Sequence, residues 1–166
     1  MPQNHIISVL VDNEFGALAR IVELFSGRGY NIESLTVSEI DAVNKLSRVT
    51  IKTLATEQVL EQIKAHLSKL IPVHKVVDLT CQDNNIEREI ALIKVICNDN
   101  TKDKLKEIAE EFEAKIADET ENSFIFEITC DTRTVDKFID LLKPLGLAEI
   151  ARTGATAMLK GNKTSF

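Results

Sequence analysis

Two side-chain amides, Asn13 and Asn31, flank two glycine turns in the stretch VDNEFGALARIVELFSGRGYNIESL, residues 11–35. An amide carries a donor and an acceptor, so it can hold either end of a zwitterion. Gly16 lets the backbone turn and approach a ligand at little steric cost. The helix expected after it offers unpaired N–H groups and a partial positive charge, a natural seat for a carboxylate. Residue types and spacing fit a site for a free amino acid. They also fit an ordinary turn in which Asn13 caps the helix and Gly16 only permits the bend.

Other candidate chemistry is thinner. Gly27-Arg28-Gly29 starts like a nucleotide-binding fingerprint, but position 32 is Ile and the glycines end a helix instead of opening one. No phosphate-cradling loop and no nucleophile-elbow pattern occurs. His5, His66 and His74 are scattered, without a metal-ligand pair, and are expected at the surface or at strand edges. Cys81, Cys97 and Cys130 are odd in number and form no C-x-x-C pair, so neither a zinc site nor a dithiol is expected. Glu110, Glu111 and Glu113, with Lys104 and Lys106, make a solvated helix face. Glu87 and Glu89 share one side of a strand but lack a neighbouring base or nucleophile. No catalytic residue and no metal ligand is assigned.

The elements that must position the amides follow from periodicity. Ile6–Val11 is a short β-branched run, expected as a buried strand. Ala17–Ser26 carries the helical stripe Leu18, Ile21, Val22 and Phe25, stopped by Gly27 and Gly29. A strand over 31–40, a turn at 41–44 and a strand through 47–51 come next. Thr56 is expected to cap a helix striped at Val59, Leu60, Ile63 and Leu67, and a strand over Val73–Cys81 closes the unit.

After Gln82-Asp83-Asn84-Asn85 the order repeats. It runs through a strand to Cys97, a helix capped by Thr101, a strand pair around 120–122, a helix from Thr134, and a last strand over Glu149–Met158. The expected fold is α+β: two tandem ferredoxin-like βαββαβ units, each an antiparallel sheet with two helices on one face. The expected domains are 1–81 and 82–166.

The bulk numbers agree with a soluble pair of small domains. The 166 residues carry 20 basic and 26 acidic side chains, a net charge of −6, with 44% hydrophobic residues. That balance argues against nucleic acid or an anionic membrane as the main partner. Unpaired cysteines suggest a reducing cytosol, no signal peptide is visible, and no apolar run is long enough to span a membrane. A cytoplasmic protein is expected.

Only the first unit has a glycine in the turn after its opening strand: Asp12-Asn13-Glu14-Phe15-Gly16, against Asn98-Asp99-Asn100-Thr101 in the second. The stretch from Asp12 to Leu18, with Gly29-Tyr30-Asn31-Ile32, resembles an ACT domain, a ferredoxin-like module that binds amino acids where two copies pair. LFSGRGYNIESLTV (24–37) and EREIALIKV (87–95) resemble, more narrowly, the small regulatory subunit of acetolactate synthase, also called acetohydroxyacid synthase. The resemblance runs from His5 to about Lys160.

The resemblance implies a non-catalytic subunit in branched-chain (valine and isoleucine) amino-acid biosynthesis. Such a subunit binds the catalytic large subunit, raises its activity and confers allosteric feedback inhibition, typically by valine. It implies that this chain holds no cofactor, and that the partner carries thiamine diphosphate, Mg²⁺ and FAD. It implies a homodimer through the ACT domains at residues 1–81, with an effector site across the seam. Asn13 and the Gly16-Ala17-Leu18 amides would hold the effector from one protomer, and Asn31 with Ile32 would reach in from the other. Phe15 departs from the small residue or proline often found there, which bears on pocket size. A stand-alone ACT-domain sensor of amino acids, acting on another target, is the alternative.

Overall fold

The computed structural model describes residues 1–80 and 85–166. They form two compact units, Met1–Ile86 with Ala155–Phe166, and Glu87–Gly154. The expected boundary after residue 81, the strand end at Cys81 and the polar connection at 82–84 lie outside the described residues.

The first unit runs β1 (Gln3–Asp12), α1 (Ala17–Gly27), β2 (Ser34–Asp41), β3 (Leu46–Ala55), α2 (Glu57–Leu67) and β4 (Val73–Asp78). Its sheet is antiparallel, in the order β2-β3-β1-β4. Alternation along β1 separates two faces. Ile7, Val9 and Val11 join Val49 and Ile51 of β3 in a core closed by the two helices, while Ile6 belongs to a separate cluster. Each such Ile or Leu contributes about 1.5–3 kcal/mol by leaving water.

The α1 stripe is rotated from the expected one. Ala17, Ile21, Leu24 and Phe25 enter the core, whereas Leu18 and Val22 stay 39% and 40% exposed. Both sets have helical spacing, so periodicity alone could not choose between them. In α2 the expected Leu60, Ile63 and Leu67 are buried, and Thr56 caps the helix by accepting the Val59 N–H at 3.4 Å.

The chain end returns to this unit. Ala155 and Ala157 pack with Ile6 and Leu79. Arg48 Nη2 donates to the Ala157 carbonyl at 2.6 Å, and its guanidinium lies 5.4 Å from the Phe166 ring centre. Burial holds the Arg48 guanidinium below its ordinary pKa.

The second unit contains most of β5 (Asn85–Ile96), then α3 (Asp99–Glu111), β6 (Lys115–Glu119), β7 (Ser123–Cys130), α4 (Thr132–Leu142), a 3-10 turn at Lys143–Leu145 and β8 (Leu147–Arg152). The strand order β6-β7-β5-β8 repeats that of the first unit. Ala91, Ile93 and Val95 of β5 meet Phe124, Phe126 and Ile128 of β7 under Leu105, Ile108, Val135 and Phe138. Phe126 and Phe138 pack edge to face with ring centres 6.0 Å apart. The fold is the expected α+β pair of ferredoxin-like units.

Four local expectations are corrected. Asn98, not Thr101, is the N-cap of α3; Thr101 closes a capping box from the third helical position. The last helix begins at Thr132, capped by Asp131, whose side chain accepts the Thr134 N–H at 3.1 Å. The last expected strand is two, β8 and β9 (Thr156–Leu159), because Gly154 takes a left-handed φ of 83° between them. His5 is no surface residue: it is buried on β1, its Nε2 3.1 Å from the Ala55 carbonyl oxygen.

Candidate functional site

Asp41 shapes the hairpin turn that carries Asn44 and Lys45 to the candidate site. Its Oδ1 accepts the N–H groups of Val43 at 3.0 Å and Asn44 at 2.9 Å, and Oδ2 accepts from the Asn44 side chain at 2.7 Å. These bonds, the Asn44 backbone one foremost, hold the Asp41 carboxyl below the usual carboxylate range. The turn carries the chain to Lys45, at a positive φ of 52°. The Lys45 carbonyl then accepts the Asn13 backbone N–H at 2.7 Å. The β2–β3 hairpin thereby pins the loop that leaves β1.

Between them lies an open cleft of about 490 Å³, lined by Asp12, Asn13, Glu14, Phe15, Asn44 and Lys45. Its rim is acidic. Asp12 Oδ1 is 2.6 Å from His74 Nε2, and Glu14 Oε1 is 4.0 Å from Arg20 Nη1. Phe15 is fully exposed and covers nothing among the described residues.

Asn13 does not cap α1. Its Nδ2 donates to Glu39 Oε2 at 3.0 Å, across the mouth of the hairpin. The N-cap is Gly16, at φ 82° and ψ −7°, without a side-chain hydrogen bond and with no acidic residue in the first turn. Open space surrounds the position where a Gly16 Cβ would stand, so only the left-handed backbone asks for glycine there. Asn98 and Thr101 close the equivalent helix start in the second unit. Among the described α-helices, α1 is the one that starts without a side-chain cap. Its Ala17 N–H donates to the Glu14 carbonyl at 3.3 Å, which leaves the neighbouring N–H groups to receive a carboxylate.

The six expected residues are not all in one place within a chain. Asn13 lines the cleft, and Gly16, Ala17 and Leu18 form the start of α1. Asn31 is exposed ahead of β2, with its carbonyl accepting from Thr53 Oγ1 at 2.5 Å, and Ile32 is half-buried against the core. Sequence reasoning missed Glu39, Asn44 and Lys45. Twenty-six residues separate Asn13 from Glu39, and only the register Glu39↔Ser47, Asp41↔Leu46 brings the hairpin mouth to the β1 loop. The turn signal at 41–44 was the available clue.

Glu87 and Glu89 resolve as structural groups. Glu89 is 4% exposed and its Oε1 accepts from Arg152 Nε at 2.7 Å. Thr132 donates its hydroxyl to Glu87, and Arg152 Nη1 reaches Asp136 at 2.7 Å. Burial lowers the Arg152 pKa, but the hydrogen bonds to Asp136 and Glu89 outweigh it and hold the guanidinium above its ordinary value. Among the described residues no group of three or more His, Cys, Asp or Glu could hold a metal ion, and no helix is long and apolar enough to cross a membrane.

Comparison with known proteins places both halves. Residues 7–75 match the family model described as the AHAS small subunit-like ACT domain, and residues 88–161 match that of the small subunit of acetolactate synthase. The chain is 43% identical over 159 residues to a probable acetolactate synthase small subunit of Archaeoglobus fulgidus, covering 96% of this chain and 98% of that one. It is 45% identical over 159 residues to the acetolactate synthase small subunit of Haemophilus influenzae, covering 95% and 96%. The crystal structure of the small subunit from Thermotoga maritima is similar with a TM-score of 0.85, at 38% identity over 97% of this chain and 99% of that one. With an ACT domain in its first half and the small subunit's own second domain after it, the chain belongs to the acetolactate synthase small-subunit family.

Proposed function

We propose that this chain is the non-catalytic regulatory subunit of an acetolactate synthase. It binds the catalytic large subunit, raises its activity and makes it sensitive to valine. Thiamine diphosphate, Mg²⁺ and FAD belong to the partner. The observation that carries this reading is the tandem match of both family models along one chain, ACT domain first.

The effector site is built by two copies of the chain. Supporting this, α1 leaves Leu18 and Val22, one turn apart, exposed on its surface. Strand β2 is a sheet edge with Val37 and Ile40 exposed at 44% and 49%. An exposed apolar helix face and an unpaired strand edge suit a two-fold pairing in which sheets join. Asn13 and the Gly16-Ala17-Leu18 amides of one protomer then face Asn31 and Ile32 of the other. A ligand that touches both protomers favours the closed seam, and a difference of about 1–3 kcal/mol between states suffices for regulation.

Co-expression with the thiamine-dependent large subunit tests the reading. The expected result is co-purification, a rise in specific activity over the large subunit alone, and inhibition by valine only in the complex. A chain that neither co-purifies nor changes the activity contradicts it.

A further inference from the structure

Glu39 lies outside the six residues assigned to the effector site, yet it is the hydrogen-bond partner of the Asn13 amide. Asn13 Nδ2 donates to Glu39 Oε2 at 3.0 Å, and Asn13 is held from behind by its backbone N–H on the Lys45 carbonyl at 2.7 Å. With its N–H engaged, the amide presents its oxygen, which takes no hydrogen bond from the described residues. An acceptor oxygen beside a carboxylate attracts an ammonium group and repels another carboxylate. Asp12 and Glu14 line the same cleft but are partnered by His74 and Arg20, and Lys45 is a further opposing charge, so the carboxylate beside the amide is that of Glu39.

We propose that Glu39 is a positioning residue that fixes the polarity of effector binding: it turns the Asn13 oxygen toward the ligand's ammonium group, leaving the carboxylate to the start of α1. The inference rests on the effector reading above and adds its ligand chemistry. The site selects α-amino acids over acids of the same shape that lack the ammonium group. A site built to hydrogen-bond a polar group discriminates strongly against the analogue lacking it, because its own groups are then left unpaired. Freed of Glu39, the amide can turn over and offer N–H to either end of the ligand, and the discrimination falls.

The test is calorimetric titration of the full chain with L-valine and with (S)-2-hydroxy-3-methylbutanoate, in which a hydroxyl replaces the ammonium. Wild type should bind L-valine more than tenfold tighter. Glu39→Ala should lose about tenfold in L-valine affinity and hardly change for the hydroxy acid. Glu39→Gln, which still offers an oxygen to the Asn13 N–H, should recover most of the preference. Unchanged preference in Glu39→Ala, or Glu39→Gln behaving like Glu39→Ala, overturns the positioning role while Asn13→Ala still abolishes binding. If Asn13→Ala also binds as wild type does, or wild type binds no L-valine, the effector site itself fails and Glu39 with it.

Discussion

Arg152 lies between two carboxylates, its Nε 2.7 Å from Glu89 Oε1 and its Nη1 2.7 Å from Asp136 Oδ1. One guanidinium thus joins β5, α4 and β8. The pair gives the EREI stretch a structural task in place of a catalytic one. Removing one partner of a buried ion pair destabilises by about 3–5 kcal/mol, chiefly by stranding the other charge. Arg152 is 31% exposed, and solvent screening reduces that figure to about 2 kcal/mol for Glu89→Ala. Replacing both residues by leucine should be milder than Glu89→Ala alone. Urea denaturation of the three chains measures the order.

Gly146 and Gly16 both have positive φ, 103° and 82°, but they answer to different constraints. A Cβ on Gly146 would stand 2.0 Å from the Ile96 carbonyl oxygen, and the Gly146 carbonyl accepts the Ile96 N–H at 2.9 Å. Backbone cannot yield there as a flexible side chain can. Gly146→Ala should destabilise the fold by about 3 kcal/mol or more, through the clash added to left-handed strain. Gly16→Ala should lose only the strain, about 1–2 kcal/mol. Thermal unfolding followed by circular dichroism separates the two.

Asp131 caps α4. Burial pushes its carboxyl up, but hydrogen bonds from the Thr134 hydroxyl and backbone, with those of nearby amides, outweigh it and hold the carboxyl below its ordinary value of 3.8. A carboxyl depressed in the folded state stabilises fully above its unfolded pKa, and the benefit disappears as pH falls through the folded one. Asp131→Ala should therefore lose about 1 kcal/mol at pH 7. The difference from wild type should shrink once pH drops below 3.8. Asp131→Asn, still a good cap, should stay within a few tenths of a kcal/mol at pH 7. Urea denaturation at pH 7 and at acid pH checks both.

Much of the fold was legible because its signals are local. The α2 stripe names Leu60, Ile63 and Leu67, which are buried, with Val59 half-buried beside them, and Thr56 caps where expected. Where two local solutions compete, sequence chose less well. Leu18 and Val22 share helical spacing with the true core of α1, and Asn98 and Thr101 both belong to one capping box. His5 escaped because its burial comes from neighbours distant in sequence, with Ala55 fifty residues away. The site divides likewise. Asn13 and Gly16 announce themselves as a turn before a helix, but Glu39 and Lys45 join them only through hairpin register.

An amino-acid site at the start of α1 requires that the effector's carboxylate sit beside Gly16. Calorimetric titration of the full chain with L-valine, before and after Gly16→Asp, tests it most directly. The substituted side chain meets open space and adds backbone strain of about 1–3 kcal/mol, which a folded domain stable by about 5–15 kcal/mol survives. Its carboxylate would stand where the effector's must. Wild type should bind L-valine, and Gly16→Asp, still folded by circular dichroism, should not. A folded Gly16→Asp chain that binds L-valine with wild-type affinity would contradict that placement.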